Sequence, residues 1–250
     1  MKFISLDISM STGYAIFEGS SLKEYGKIVE KDTTLSADDC HYPYNFLLMA
    51  RTLSSRIMRI LKEKEIEFII IEETNKGRDR YAQKKLEFLH CCRSLDLLSY
   101  GFPVERIYYI STSTWRKAID LKLKPEHREL NNQIRSIRRD KRKEVVAEIT
   151  KKYEPEFHRL SEGLTKKRDI SKVSKQINRE CQKEAGKIMS RFRVKINGRA
   201  VSEVNVKNLS VNYVNEKYDL NLKIGDNDIA DAICLADSYM KIEGYHSGNS

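Results

Sequence analysis

Residues 67–73 read EFIIIEE: four consecutive apolar side chains, three of them β-branched, with acids at both ends. A short run of this kind, bounded by charge, specifies a central strand buried on both faces. It ends at Glu72. The rest of the fold can be read outward from it.

Upstream, residues 2–6 (KFISL) form a second short buried strand, and this one ends at Asp7. A polar turn follows, holding Ser9, Ser11, Thr12 and Gly13. Residues 14–18 then read as the antiparallel partner, and 25–30 as a third strand. Residues 45–64 place Phe46, Met49, Ala50, Leu53, Ile57, Ile60 and Leu61 at helical spacing, which predicts an amphipathic helix laid on the sheet.

Downstream, residues 80–100 form a helix carrying Leu86, Leu89, Leu95 and Leu98, stopped by Gly101 and Pro103. Residues 106–110 are a further strand, and Ser111–Ser113 cap a short helix through Trp115. Two helices, 206–218 and 228–242, close the order before a polar tail, 243–250, that is expected to be disordered. The fold class is α/β. A mixed five-stranded sheet begins with three antiparallel strands, continues with parallel ones after the crossovers, and is flanked by helices.

One segment stands apart. Of the 250 residues, the 80 from Leu121 to Ala200 hold 24 Lys/Arg against 11 Asp/Glu, a net of +13. The whole chain carries +10, so the remainder is −3. A basic block on a near-neutral body favours a polyanionic partner, because each contact to phosphate releases condensed counterions. The bland alternative is a solvated helical excursion whose charge only keeps it soluble. The block reads as helical, broken near Pro155 and Gly163. It ends in a hairpin at Asn197–Gly198 between alternating apolar positions, with Arg191, Arg193, Lys195 and Arg199 along it. The expected division is therefore a core, 1–120 and 204–242, interrupted by a basic DNA-binding insertion, 121–203.

Several classes are excluded. No stretch is long and apolar enough for a membrane span, and the start has no leader-like apolar core. Five cysteines (Cys40, Cys91, Cys92, Cys181, Cys234) form no C-x-x-C pair. They read as reduced thiols of a cytosolic compartment, most of them small buried hydrophobes, and structural zinc is not expected. Eleven glycines without a G-x-G cluster argue against an ATP-binding kinase-like protein.

The chemistry is carried by acids placed where buried runs end. Asp7 closes the first strand, Glu72 the central one, and Asp228 and Asp231 open the last helix in residues 224–239, IGDNDIADAICLADSY. Positions i and i+3 put both of the latter carboxylates on one face of the first turn. Each has a plain reading: a strand-end Asp is usually a turn former, and acids suit a helix start. Glu73 points away from Glu72 and reads as solvated; Asp226 competes as a helix-start acid, and Asp237 falls outside the site. Together, carboxylates converging at strand ends repel, and a hard divalent cation removes that cost. Two Mg²⁺ ions would clamp the two oxygens of an in-line phosphodiester displacement. None of the five histidines falls in these motifs, so water activation is left to metal.

LDISMSTGYAIF, FIIIEETN and NDIADAICLADSY resemble, in order and spacing, the three acidic motifs of RuvC-type Holliday junction resolvases, nucleases of the RNase H-like fold. STWRKAI resembles the segment between the second and third motifs in phage-type members. The match spans about two-thirds of the chain, residues 1–120 and 204–242. The resemblance implies Mg²⁺-dependent resolution of branched DNA by a homodimer, through paired nicks leaving 5′-phosphates, with Mn²⁺ as a substitute metal. It gives Asp7, Glu72, Asp228 and Asp231 the metal-ligand roles. Lys207 takes the place of a basic residue at the scissile region, and either Arg116 or Lys117 that of a second. Two departures are plain. Asn75 stands where many bacterial members have an aromatic wedge, and the family does not account for the basic insertion, which is expected to clamp DNA arms or alter substrate preference.

Smaller features remain open in the sequence. Residues 75–80 (NKGRDR) put Lys76 and Arg78 beside the second acid, for phosphate contact or as an ordinary loop. Tyr81 could replace the missing wedge or pack on a helix. Trp115 reads as a core anchor. The alternatives for function are a related nuclease of broader specificity (flaps, forks or RNA) and a non-catalytic nucleic-acid-binding protein.

Overall fold

The computed structural model describes residues 1–29, 43–73 and 80–244. Five strands, β1 (Lys2–Asp7), β2 (Ser11–Glu18), β3 (Ser21–Val29), β4 (Phe68–Glu73) and β5 (Ile107–Ser111), make one sheet in the order β3-β2-β1-β4-β5. β2 runs antiparallel to both of its neighbours, and β1, β4 and β5 are parallel. This mixed sheet with flanking helices is an RNase H-like α/β fold.

Strand alternation decides what each face holds. Phe3, Ala15, Phe17, Phe68 and Ile70 face one side, packed against α3 (Thr112–Ala118), α6 (Val206–Tyr218) and α7 (Asn227–Ile242). On that face Phe3 stacks between Phe17 and Phe68, with ring centroids 5.4 and 4.7 Å away. Ile4, Leu6, Ile16, Ile69 and Ile71 face the other side, under α1 (Tyr44–Lys64) and α2 (Arg80–Ser99). Both faces of β1 and β4 are therefore dry, as their apolar runs require.

α7 is buried from Ile229 through Met240, almost all the way round. Small residues let it approach: Ser5 Oγ donates to the Ala232 carbonyl at 2.7 Å, and Gly13 lies against the helix start. A β-carbon built on Gly13 would stand 1.9 Å from the Asp228 carbonyl oxygen. Only glycine fits there.

The basic segment forms a separate compact unit, Leu123–Val204. α4 (Pro125–Ser161) and α5 (Lys167–Arg191) make a helical hairpin, turned at Gly163 with φ +77°. Its small core sets Val145 and Ile149 against Ile177, Cys181 and Ala185. The Asn131 side chain closes the unit, donating to the Val204 carbonyl at 2.7 Å and accepting from its N–H at 2.8 Å. A two-stranded hairpin, β6 (Lys195–Ile196) and β7 (Arg199–Ala200), turns at Asn197–Gly198, both at positive φ.

Four expectations need correction. Pro155 does not break α4. It sits on the exposed side, where water can satisfy the carbonyl that its ring leaves without a partner. Arg191 ends α5 rather than lining the hairpin. On α2 the buried row is Leu89, Arg93 and Leu97, while Leu95 and Leu98 are exposed. Cys91 is exposed and Cys92 only half-buried, because adjacent helical positions cannot both face the sheet; Cys181 and Cys234 are buried. Cys40 and the tail from residue 245 lie outside the described residues.

Candidate metal and nucleic-acid site

The parallel register of β1 and β4 pairs Leu6 with Ile71, so Asp7 and Glu72 follow side by side at the C-terminal ends of adjacent strands. Alternation from Phe3 and from Phe68 directs both toward the α7 face. Glu73 is exposed. Asp7 also pairs with Gly13 across the β1–β2 ladder, and Gly13 is the residue touching the backbone at Asp228. Thus one glycine ties the start of α7, with Asp228 and Asp231, to the strand end that carries Asp7.

The four acids act on one another electrostatically. Burial, then the charges of Glu72, Asp231 and Asp228, push the Asp7 carboxyl well above the usual range, and Lys207 opposes them. Glu72 is raised by burial and by Asp231, against a hydrogen bond from Thr112 and the charge of Arg116. Asp231 is raised by burial and by Asp228, against Ser210, Arg116 and Lys207. Its Oδ1 is buried without a hydrogen-bond partner, while the Arg116 guanidinium stands 4.0 Å from Oδ2. Asp228 is partnered at both oxygens, by Lys27 Nζ at 3.1 Å and Asn227 Nδ2 at 2.7 Å.

Of the two basic candidates on α3, Arg116 faces the acids and Lys117 is exposed. Lys207 is exposed at the start of α6, within reach of the charges on Asp7 and Asp231. Arg191, Arg193 and Lys195 are exposed in the helical unit. Lys76 and Arg78, with Asn75, lie outside the described residues. Asp237 is not among the four: it is buried between α6 and α7, accepting from Tyr218 and pairing with Lys217 at 2.9 Å. Trp115 is fully buried, and Tyr81 is exposed with its ring edge-on to Phe46 at 5.2 Å.

Sequence reasoning missed Lys27, Thr112 and Ser210. Thr112 had a signal, since it follows the strand-end cap Ser111. Ser210 lies one turn beyond Lys207. Lys27 had none, being one of several polar residues on an edge strand.

Among the described residues, no three His, Cys, Asp or Glu side chains are closed into a group that would enclose a metal ion. The donor chemistry nevertheless fits a hard divalent cation: every candidate ligand is a carboxylate oxygen, three of them strain against their own charge, and one buried oxygen has no partner.

No family model and no curated protein matches the chain. Solved structures of similar fold do. Thermus thermophilus RuvC in complex with a Holliday junction substrate is 12% identical over 47% of this chain and 69% of that one, with a TM-score of 0.38. T. thermophilus RuvC in a second structure is 13% identical over 47% and 68%, at 0.36. The yeast mitochondrial Holliday junction resolvase Ydc2 is 11% identical over 97% and 79%, at 0.42.

Proposed function

We propose that the protein is a metal-dependent, structure-selective DNA endonuclease that resolves four-way junctions. The observation that carries this reading is the grouping of Asp7, Glu72, Asp228 and Asp231 at one corner of the sheet, faced by Arg116 and Lys207. Acids alone would repel a phosphodiester. Acids holding Mg²⁺, flanked by two cations, attract one.

Asp7, Glu72, Asp228 and Asp231 would hold the Mg²⁺ ions, which supply Lewis-acid stabilisation and a water ionisable near neutral pH. The chain's own residues orient that centre. Thr112 donates to Glu72 and fixes its carboxylate, and Lys27 with Asn227 holds Asp228. Arg116 and Lys207 offset the charge of the acids and offer donors to the phosphate being cut. Burial of the site keeps these electrostatic contacts strong.

Paired nicks need two sites, so the working form would be a homodimer. The exposed Leu95 and Leu98 on α2 supply apolar surface that a second copy would cover. The direct test is incubation with a four-way junction, a flap and a linear duplex, in Mg²⁺ or EDTA, using the native protein and Asp7→Asn. Junction cleavage that needs Mg²⁺ and vanishes in the variant is expected. Cleavage surviving the substitution would overturn the assignment, and equal cutting of duplex and junction would point to the broader nuclease.

A further inference from the structure

α5 carries eight Lys/Arg and only three acids, and the two signs are sorted by face. Arg168, Lys172, Lys175, Arg179 and Lys183 recur at spacings of four, three, four and four, all exposed. At 3.6 residues per turn they fall within about 80° of one another, roughly opposite the buried Val173–Ile177–Cys181 side, and span about 22 Å. Two of the acids are paired: Asp169 with Lys172 of the row at 3.1 Å, and Glu184 with Lys152 of α4 at 2.8 Å. Glu180 lies beside Tyr153 in the groove between the two helices. Among the described residues, Arg168, Lys175, Arg179 and Lys183 form no ion pair.

A solubilising helix would intersperse its signs and spend its lysines in pairs three or four residues apart. α4 does so, with Lys141–Glu144 and Lys143–Asp140. α5 instead keeps a straight line of five cations, of which Asp169 pairs only Lys172 and which Glu180 borders beside Lys172, Lys175 and Arg179. We infer that the outer face of α5 is a phosphate-tracking surface that binds one arm of duplex DNA independently of sequence and of branching. This rests on reading the chain as a DNA enzyme, and goes beyond it by naming the helix face and the duplex arm as its ligand. A straight row can follow one backbone but cannot read base edges, so the surface adds affinity without adding selectivity.

The test uses the full chain with Arg168, Lys175, Arg179 and Lys183 all changed to Gln. Binding to a labelled four-way junction and to a linear duplex is measured in EDTA between about 50 and 200 mM salt. The expected result is about tenfold or greater weakening for both DNAs at the lower salt, an unchanged junction-to-duplex ratio, and a log–log salt slope reduced by about 3–4. Circular dichroism checks the fold, and Lys141→Gln with Lys143→Gln on α4 is the control whose slope should move far less. An unchanged slope in a folded variant overturns the inference. So does weakening confined to the junction. Binding and cleavage separate the two readings: a native protein that cuts nothing in Mg²⁺ but shows the slope change removes the nuclease and leaves the surface. Cutting with no slope change does the reverse.

Discussion

Gly13 and Asp228 touch through their backbones: a methyl group on Gly13 would fall 1.9 Å from the Asp228 carbonyl oxygen and 2.8 Å from the Ile229 nitrogen. Gly13 also pairs with Asp7 in the sheet. The separation between the first acid and the last two is therefore set by the absence of one side chain. It is a backbone-to-backbone contact, so no rotamer change can absorb an added carbon.

Gly13→Ala is accordingly expected to displace the start of α7. Overpacking of this kind costs about 1–3 kcal/mol, and the loss of junction cleavage should exceed what the fraction unfolded explains. Gly26→Ala is the comparison, because there the three atoms nearest the methyl, at 2.8–2.9 Å, all belong to the far end of the Tyr14 side chain, which can shift where a backbone cannot. Thermal melting and cleavage rates on the two variants check this. Equal activity in both would remove Gly13 from the argument.

Asp7 predicts a pH-dependent stability of opposite sign to that of an ordinary salt-bridged acid. Its folded pKa is raised by burial and by three neighbouring carboxylates, while the unfolded residue titrates near about 3.9. Between those two pKa values the folded protein binds more protons than the unfolded chain, so stability falls as pH rises. In EDTA, Asp7→Asn should melt above the native protein by an amount that grows with pH from about 4 upward, about 2–4 °C for each kcal/mol relieved. Mg²⁺ at a hundred times its Kd should stabilise the native protein by about 2.7 kcal/mol, and the variant by much less. A variant that melts lower at neutral pH would show that the four acids do not repel as described.

How much of this was legible in the sequence depends on what each residue type can signal. Asp7 and Glu72 could be placed because β-branched runs announce buried strands and an acid cannot continue one. Asp228 and Asp231 followed from helical spacing. Arg93 could not be found: it occupies the middle of the buried row of α2, 1% exposed, with only Ser54 Oγ near its Nε at 3.4 Å and burial holding its pKa down to about 10. Four leucines outvoted one arginine in the pattern, and two of those leucines turned out to face solvent. Lys27 was hidden for a different reason. Edge strand β3 alternates weakly, so nothing distinguished the lysine that meets Asp228 from those that meet water.

Lys27 in turn makes a claim about metal affinity. It neutralises Asp228 at 3.1 Å and is half-buried, so a divalent cation binding there must compete with an ammonium already in place. Ion pairs of this exposure are worth up to about 1 kcal/mol. Lys27→Met should therefore tighten Mn²⁺ binding by about two- to fivefold in calorimetric titration, since 1.4 kcal/mol is a factor of ten. Weaker binding in the variant would mean that Lys27 orients Asp228 for the metal rather than contending with it.

Arg116 and Lys117 are neighbours in sequence with opposite fates, and that makes them a controlled pair. The Arg116 guanidinium lies over the Trp115 ring, 4.9 Å from its centroid, and 4.0 Å from Asp231, whereas Lys117 is exposed on the next position of α3. If Arg116 stabilises charge on the phosphate being cut, Arg116→Gln should lower the single-turnover cleavage rate by about 10²-fold while changing junction affinity little. Lys117→Gln should stay within about twofold of native in rate, losing at most one unit of salt slope if it touches a distant phosphate. The structural alternative for Arg116 is that it only relieves repulsion among the acids. Losing it would then weaken metal binding, and raising the Mg²⁺ concentration would restore the rate. Failure of excess Mg²⁺ to rescue Arg116→Gln is thus the result that assigns Arg116 to the phosphate, and full rescue is the result that assigns it to the acids alone.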